Sequence, residues 1–212
     1  IKKFAVLHYD DVIGKENLNA VDRALKSRNL APVAVASVTR KQTDFAKEVA
    51  AVAKTAPDVV ILTSLYKTSS DFIKLSKKQG LGAQFVSTSF AGSTALANEL
   101  GGAGLGVAMS QVTPSYMRRA VPVVKEYQAA MEATFGKKAF SYSSLESYIA
   151  AKVLVEGLRR AGPQPTREGL LRALDGVNVD VGGYIVAFSP TNHNGSSFVS
   201  LTILGRDLAF RE

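Results

Sequence analysis

The chain has no cysteine, which excludes a disulfide framework, a thiolate nucleophile and a cysteine-based zinc site. This absence leaves the compartment open, since exported bacterial and cytosolic proteins can both lack the residue. Histidine is almost as scarce. His8 falls in an apolar strand pattern and His193 in a turn pattern, and neither has a companion at metal-ligand spacing, so both are read as structural. Apolar runs are too short to cross a bilayer. Clustered charge of one sign is missing as well. The formal net charge is +8, from 26 Lys and Arg against 18 Asp and Glu. The basic pairs Lys2-Lys3, Arg118-Arg119 and Lys137-Lys138 nevertheless lie far apart, and the signs alternate along most helices. A nucleic-acid groove needs clustered basic residues interleaved with stacking aromatics, so nucleic acid is not expected as a partner. The opening IKKFAVLHY runs straight into acids rather than into a small-residue cleavage site. It is read as a strand and not a signal peptide, in a chain that is mature, truncated or cytosolic.

What is present is an ordinary globular composition, 46% hydrophobic and 21% charged over 212 residues, enough for one good core or two small ones. The first part alternates. KFAVLHY reads as a strand, and Leu18, Val21 and Leu25 then mark one helix face. PVAVASV is a second strand, followed by a helix carrying Phe45, Val49, Val52 and Ala53. DVVILTSLY is a third, continuous in Val and Ile as a buried parallel strand should be, with a helix through Phe72 and Leu75 stopped by Gly80. AQFVSTSF and GLGVAMSQV supply a fourth and a fifth, around a short helix with Leu96 and Leu100. Strands alternating with helices predict βαβ units and a parallel sheet covered on both faces. Near residue 113 the rhythm changes. TPSYMRRAVP is a loop, and three helical patterns follow: a stripe of Val121, Val124, Tyr127, Met131 and Phe135, a helix from about Ser144 to Ala161, and a third from about Thr166, at its cap region, to Leu174. GGYIVAF, SPTNHNGSS and FVSLTIL predict a hairpin-like ending.

No catalytic constellation emerges. There is no nucleophile elbow, and Gly101, Gly102, Gly104 and Gly106 precede a strand rather than open a helix, so the dinucleotide fingerprint fails in context. Asp10 and Asp11 follow the first strand as the acid pair of receiver domains does, but the third strand ends in Thr63, Ser64, Leu65 and Tyr66, with no phosphoacceptor acid. The two acids are therefore read as a helix start, where carboxylates favour the positive end of the helix dipole. An enzyme is disfavoured. Ligands of open α/β sheets bind beyond the carboxyl ends of the strands. Those ends present Asp11 and Ile13, then Ser64, Leu65 and Tyr66, then Thr88, Ser89 and Phe90. Small hydroxyls with one or two aromatic rings suit a small organic molecule.

Four stretches taken together, KKFAVLHYDDVIGKENL, DVVILTSLYKTSSDFIKLSKKQGLGAQFVSTSF, SLESYIAAKVLVEGLRRAGPQPTREGLLRAL and FSPTNHNGSSFVSLTIL, resemble the type I periplasmic solute-binding proteins of branched-chain amino-acid (Leu/Ile/Val) ABC transporters. The resemblance covers almost the whole chain. It implies an α/β fold of the periplasmic-binding-protein type I, Rossmann-like with a parallel sheet flanked by helices, in which two lobes close over a solute. Residues 1–112 correspond to the second lobe, 113–176 to a helical excursion that packs on the first lobe, and 177–212 to the return to the second. Most of the first lobe should precede Ile1, so a truncated two-lobe protein is expected. The resemblance also implies a small-molecule solute, a membrane permease as partner, a periplasmic location and no cofactor or metal. Loss of the first lobe should expose the stripe Val124, Tyr127, Met131 and Phe135 and favour self-association. The family's aromatic before the first-helix glycine falls on Ile13, a departure, and the aromatic ending the third strand falls on Tyr66, or on Leu65 if the loop shifts by one. The acid that meets a ligand ammonium falls on Ser89, whose neutral hydroxyl cannot make that charge-assisted bond. Aromatic acids, amides and other carboxylates are thus open alongside amino acids. On this reading Ile13 offers the solute an apolar contact and Gly14 lets the backbone turn close to it. The second reading is the effector-binding part of a regulator or sensor of the same fold; the third, an α/β enzyme or receiver, lacks its acid or metal site.

Overall fold

Phe4–Tyr9 (β1) is buried along almost its whole length on both faces, as a strand must be when helices cover a parallel sheet from two sides. The computed structural model describes residues 1–136 and 139–212, so the pair Lys137-Lys138 lies outside the described residues. The chain divides into two compact units, residues 1–111 with 201–212, and residues 112–200.

In the first unit β1 is followed by α1 (Val12–Lys26), β2 (Pro32–Val38), α2 (Ala46–Ala53), β3 (Val59–Leu62), α3 (Tyr66–Lys78), β4 (Gln84–Thr88), α4 (Ser93–Leu100) and β5 (Ala108–Gln111). The strands pair in parallel in the order β2-β1-β3-β4-β5. Sequence explains their ranks in the sheet. Continuous VVIL makes β3 an interior strand, whereas β2 alternates and leaves Val33 and Val35 exposed, with Pro32 at its first position, where a missing N–H does least harm to the ladder. The third strand is shorter than expected, because Leu65 already caps α3 and Tyr66 is its first residue. Gly80, at φ +82°, follows the end of α3 in the left-handed conformation that closes helices. His8 is buried, its Nδ1 2.6 Å from the carbonyl oxygen of Tyr9, a structural role.

The second unit holds α5 (Pro122–Phe135), α6 (Tyr142–Ala161), α7 (Arg167–Leu174) and the antiparallel pair β6 (Asn178–Asp180) and β7 (Ile185–Ala187). Pro122 starts α5 where its lost donor is spare, and Gly136 in the left-handed region ends it. Ser141 caps α6 by accepting from Ser144 N, and Thr166 caps α7 by accepting from Gly169 N at 3.0 Å. The core joins Val124, Tyr127, Leu145, Ile149, Tyr184 and Val186. This corrects the expectation that the α5 stripe lies bare. Val124 and Tyr127 are fully buried, Met131 packs against them, and only Phe135 is exposed, because α6 and the β6–β7 pair cover the stripe.

Two further expectations change. The ending is no hairpin of the two predicted strands: β7 pairs back with β6, while β8 (Ser200–Leu204) joins the large sheet beside β5 and pairs antiparallel with β9 (Phe210–Arg211). Leu201 is also where the chain rejoins the first compact unit, whereas the resemblance implied a return to the second lobe from residue 177. Val181, Tyr184 and Val186 bury themselves in the helical core and hold that stretch in the second unit.

Candidate functional site

The sheet order places a crevice. From β1 the chain crosses to β2 on one side and then to β3 on the other, so the loops after β1 and β3 diverge at the carboxyl edge, the topological switch point where open α/β sheets take ligands. With strands about 4.8 Å apart, the loops after β1, β3 and β4 share a rim of roughly 10 Å. Three large side chains stand exposed there: Ile13 (52%), Tyr66 (39%) and Phe90 (47%). Leu65, in the loop after β3, and Thr88 and Ser89, at the end of β4, are half-buried. Ser64 differs from expectation. It is wholly buried, with its hydroxyl 2.8 Å from that of Ser69, whose hydroxyl also donates to the Ser64 carbonyl at 3.0 Å. A buried hydroxyl on a strand end needs such a partner, so Ser64 supports the loop from beneath and does not face the rim.

The corner DDVIG is resolved into distinct roles. Asp11 alone caps α1, accepting from Gly14 N at 2.8 Å, while Asp10 is exposed and its backbone N–H donates to Val38 O at 3.0 Å. The Gly14 N–H, with help from Arg40, holds the Asp11 carboxyl below its ordinary pKa, against a smaller opposing effect of desolvation. Gly14 makes a close approach to its own strand: a Cβ there would lie 2.0 Å from Tyr9 O.

Residues that sequence reasoning did not single out complete the rim. Val12 is exposed beside Ile13. Arg40, in the loop after β2, donates from Nε to Asp11 Oδ2 at 2.6 Å, and its Cζ lies 4.5 Å from the centroid of the Tyr9 ring. Tyr9 Oη accepts from Leu65 N at 3.2 Å and lies 2.9 Å from Thr68 Oγ1. Asp11 and Arg40 are 29 residues apart, so no local pattern betrays the pair.

A different concavity lies within the second unit, an open groove of about 920 Å³ with Ile149, Val153 and Tyr184 in its floor and Asn192–Ser197 along its lip. His193 there is 3.2 Å from Asp175. None of the sequence-predicted site residues lines it, and its walls are mainly the helical core itself. Among the described residues no three His, Asp or Glu side chains gather as metal ligands, and no helix is long and apolar enough to cross a membrane.

A family model described as periplasmic binding protein matches residues 1–202. An amino acid binding protein of Pseudomonas aeruginosa is 28% identical over 153 residues, which is 71% of this chain and 41% of that protein. A solved substrate-binding periplasmic protein from Ralstonia solanacearum is similar at a TM-score of 0.87 and 29% identity, over 100% of this chain and 62% of that one. A leucine binding protein from Thermotoga maritima shares the fold at a TM-score of 0.84 and 17% identity, over 99% of this chain and 59% of that one. The chain thus spans less than two thirds of the length of these relatives.

Proposed function

Because the chain belongs to the periplasmic binding protein family, we propose that it is the extracytoplasmic solute-binding component of an ABC transporter, taking an amino acid or a related small carboxylate or amide at the switch-point rim. What supports this reading is the carboxyl edge of the parallel sheet, where the segments after β1, β3 and β4 carry exposed Ile13, Tyr66 and Phe90 and the end of β4 carries the half-buried hydroxyls of Thr88 and Ser89. Large apolar side chains beside a few hydroxyls suit a ligand with an apolar body and a polar end. On the family resemblance, Ser89 falls where leucine-type members carry an acid. A carboxylate gives an ammonium a charge-assisted bond that a hydroxyl does not, so the solute's polar end need not be an amine.

The work of such a protein is closure. Solute held on this rim makes its remaining contacts with the opposing lobe, and contacts made only in the closed form shift the hinge equilibrium toward it. The closed form is then what the permease in the membrane recognises.

The test is a thermal-shift and calorimetry panel on the intact protein with L-leucine, L-phenylalanine, benzoate and acetamide. A compound that binds only the folded state raises the melting temperature, by an amount equivalent to about 2.7 kcal/mol at a hundredfold excess over Kd. At least one compound is expected to do so, and Tyr66→Ala is expected to weaken its binding by roughly tenfold or more through lost apolar contact. Binding that is indifferent to Tyr66→Ala, or silence across the panel, would overturn the assignment.

A further inference from the structure

Three rim loops meet on one pair of side chains. Arg40, from the loop after β2, pairs through Nε with Asp11 and lays its guanidinium over the Tyr9 ring. Asp11 caps α1, whose first turn carries Ile13, and Tyr9 holds the Leu65 N–H and the Thr68 hydroxyl, the first turn of the helix that carries Tyr66.

We propose that Arg40 is the positioning residue of the rim, joining the loops after β1 and β3 so that Ile13 and Tyr66 are held in register before any solute arrives. The assignment of a purpose to that register rests on the solute-binding reading above. Arg40 has the chemistry for it. A guanidinium is planar, so it offers an edge to the carboxylate and a face to the ring at the same time, which a lysine ammonium cannot do. Tyr9 is only 2% exposed, with the guanidinium over its face, so its hydroxyl is held where both Leu65 and Thr68 reach it. The ion pair itself is partly exposed, at 40% for Arg40 and 34% for Asp11, and such pairs add little to global stability. Its consequence is therefore local geometry. A rim arranged in advance spares the solute the cost of ordering it, which is how preorganisation raises affinity.

Amide hydrogen exchange in the intact protein, without solute, tests this. Arg40→Gln is expected to speed exchange about fivefold in the segments 11–16 and 64–69, the size of effect that loss of one hydrogen bond gives. The melting temperature and the exchange of β3, β4 and the second unit should stay as in the parent. Arg40→Lys keeps a cation for Asp11 without the guanidinium over Tyr9, so it should restore 11–16 but not 64–69. Tyr9→Phe keeps the ring under Arg40 and removes the hydroxyl, so it should open 64–69 and leave 11–16 unchanged. The proposal is overturned if Arg40→Gln leaves 64–69 untouched, if Arg40→Lys behaves as the parent in both segments, or if Arg40→Gln loosens the whole molecule alike. Because no solute enters the measurement, a failure of the solute panel and a failure here are separate results.

Discussion

At the scale of single residues, Gly14 shows how one missing atom shapes the candidate site. In an ordinary helix Gly→Ala gains about 1 kcal/mol. Here the new Cβ would sit 2.0 Å from Tyr9 O and 2.7 Å from Tyr9 N, both backbone atoms that no side-chain rotation can move aside. Helix α1 would have to shift from the strand it follows, and overpacking of this kind costs about 1–3 kcal/mol. Gly14→Ala is therefore expected to destabilise the protein, by about 2 kcal/mol, when measured by urea denaturation; a gain in stability would show that α1 has room to move. The sequence presented this glycine as an approach to a solute, and the close approach in the structure is to the chain's own backbone. Ser64 has the same lesson. Its position at a strand end was legible, but its burial depends on Ser69, a helical residue that turns back over it.

Among the elements, helix starts were the most legible because their chemistry is local. Thr166 caps α7 within four residues of chain, and the predicted start of that helix is where the structure has it. Thr166→Ala leaves the Gly169 N–H without its partner and is expected to cost about 1 kcal/mol in the same denaturation assay, with Thr166→Ser close to neutral. An equal loss in the serine variant would mean that the threonine methyl, not the cap, matters. Partnership between elements was far less legible. The stripe of α5 reads as an unsatisfied face until α6, β6 and β7 are seen to bury Val124 and Tyr127. The strand Ile185–Ala187 looks forward to Ser200–Leu204 in sequence, yet pairs backward with Asn178–Asp180, since Val181, Tyr184 and Val186 gain a core by doing so.

At the scale of the molecule, the fold is that of the type I periplasmic binding proteins, and the chain covers part of the length of its relatives. Its charge distribution makes a pH prediction. Asp58 is held below the ordinary carboxylate pKa by the Lys2 and Lys3 N–H groups, Asp180 by those of Gly182 and Gly183, Asp207 chiefly by the Arg211 side chain, and Asp11 by Gly14. Each is more acidic folded than unfolded. The stabilisation they give is complete above the ordinary carboxylate range and is lost as pH falls through the lowered folded values, where the unfolded chain binds more protons. The urea midpoint should be nearly flat from about pH 7 to about pH 5 and fall below about pH 4. Asp58→Asn removes one of these groups, so its deficit against the parent should shrink as the pH drops; a deficit that is constant with pH would assign the loss to packing instead of charge.

The sequence by itself determined the alternation of strands and helices, the helix starts at Asp11 and Thr166 and the parallel sheet, because each is written in periodicity or in residues a few positions apart, and four stretches taken together carried the resemblance to the family. It also placed Ile13, Leu65, Tyr66, Thr88, Ser89 and Phe90 at strand ends. Only the tertiary structure decided which of the predicted side chains are exposed and which are buried, where the chain returns to the first unit, and that Arg40 binds Asp11 and lies over Tyr9. Those outcomes depend on contacts between residues distant in the chain, whose energies come from burial and from the hydrogen bonds that burial makes obligatory, and a linear pattern carries neither.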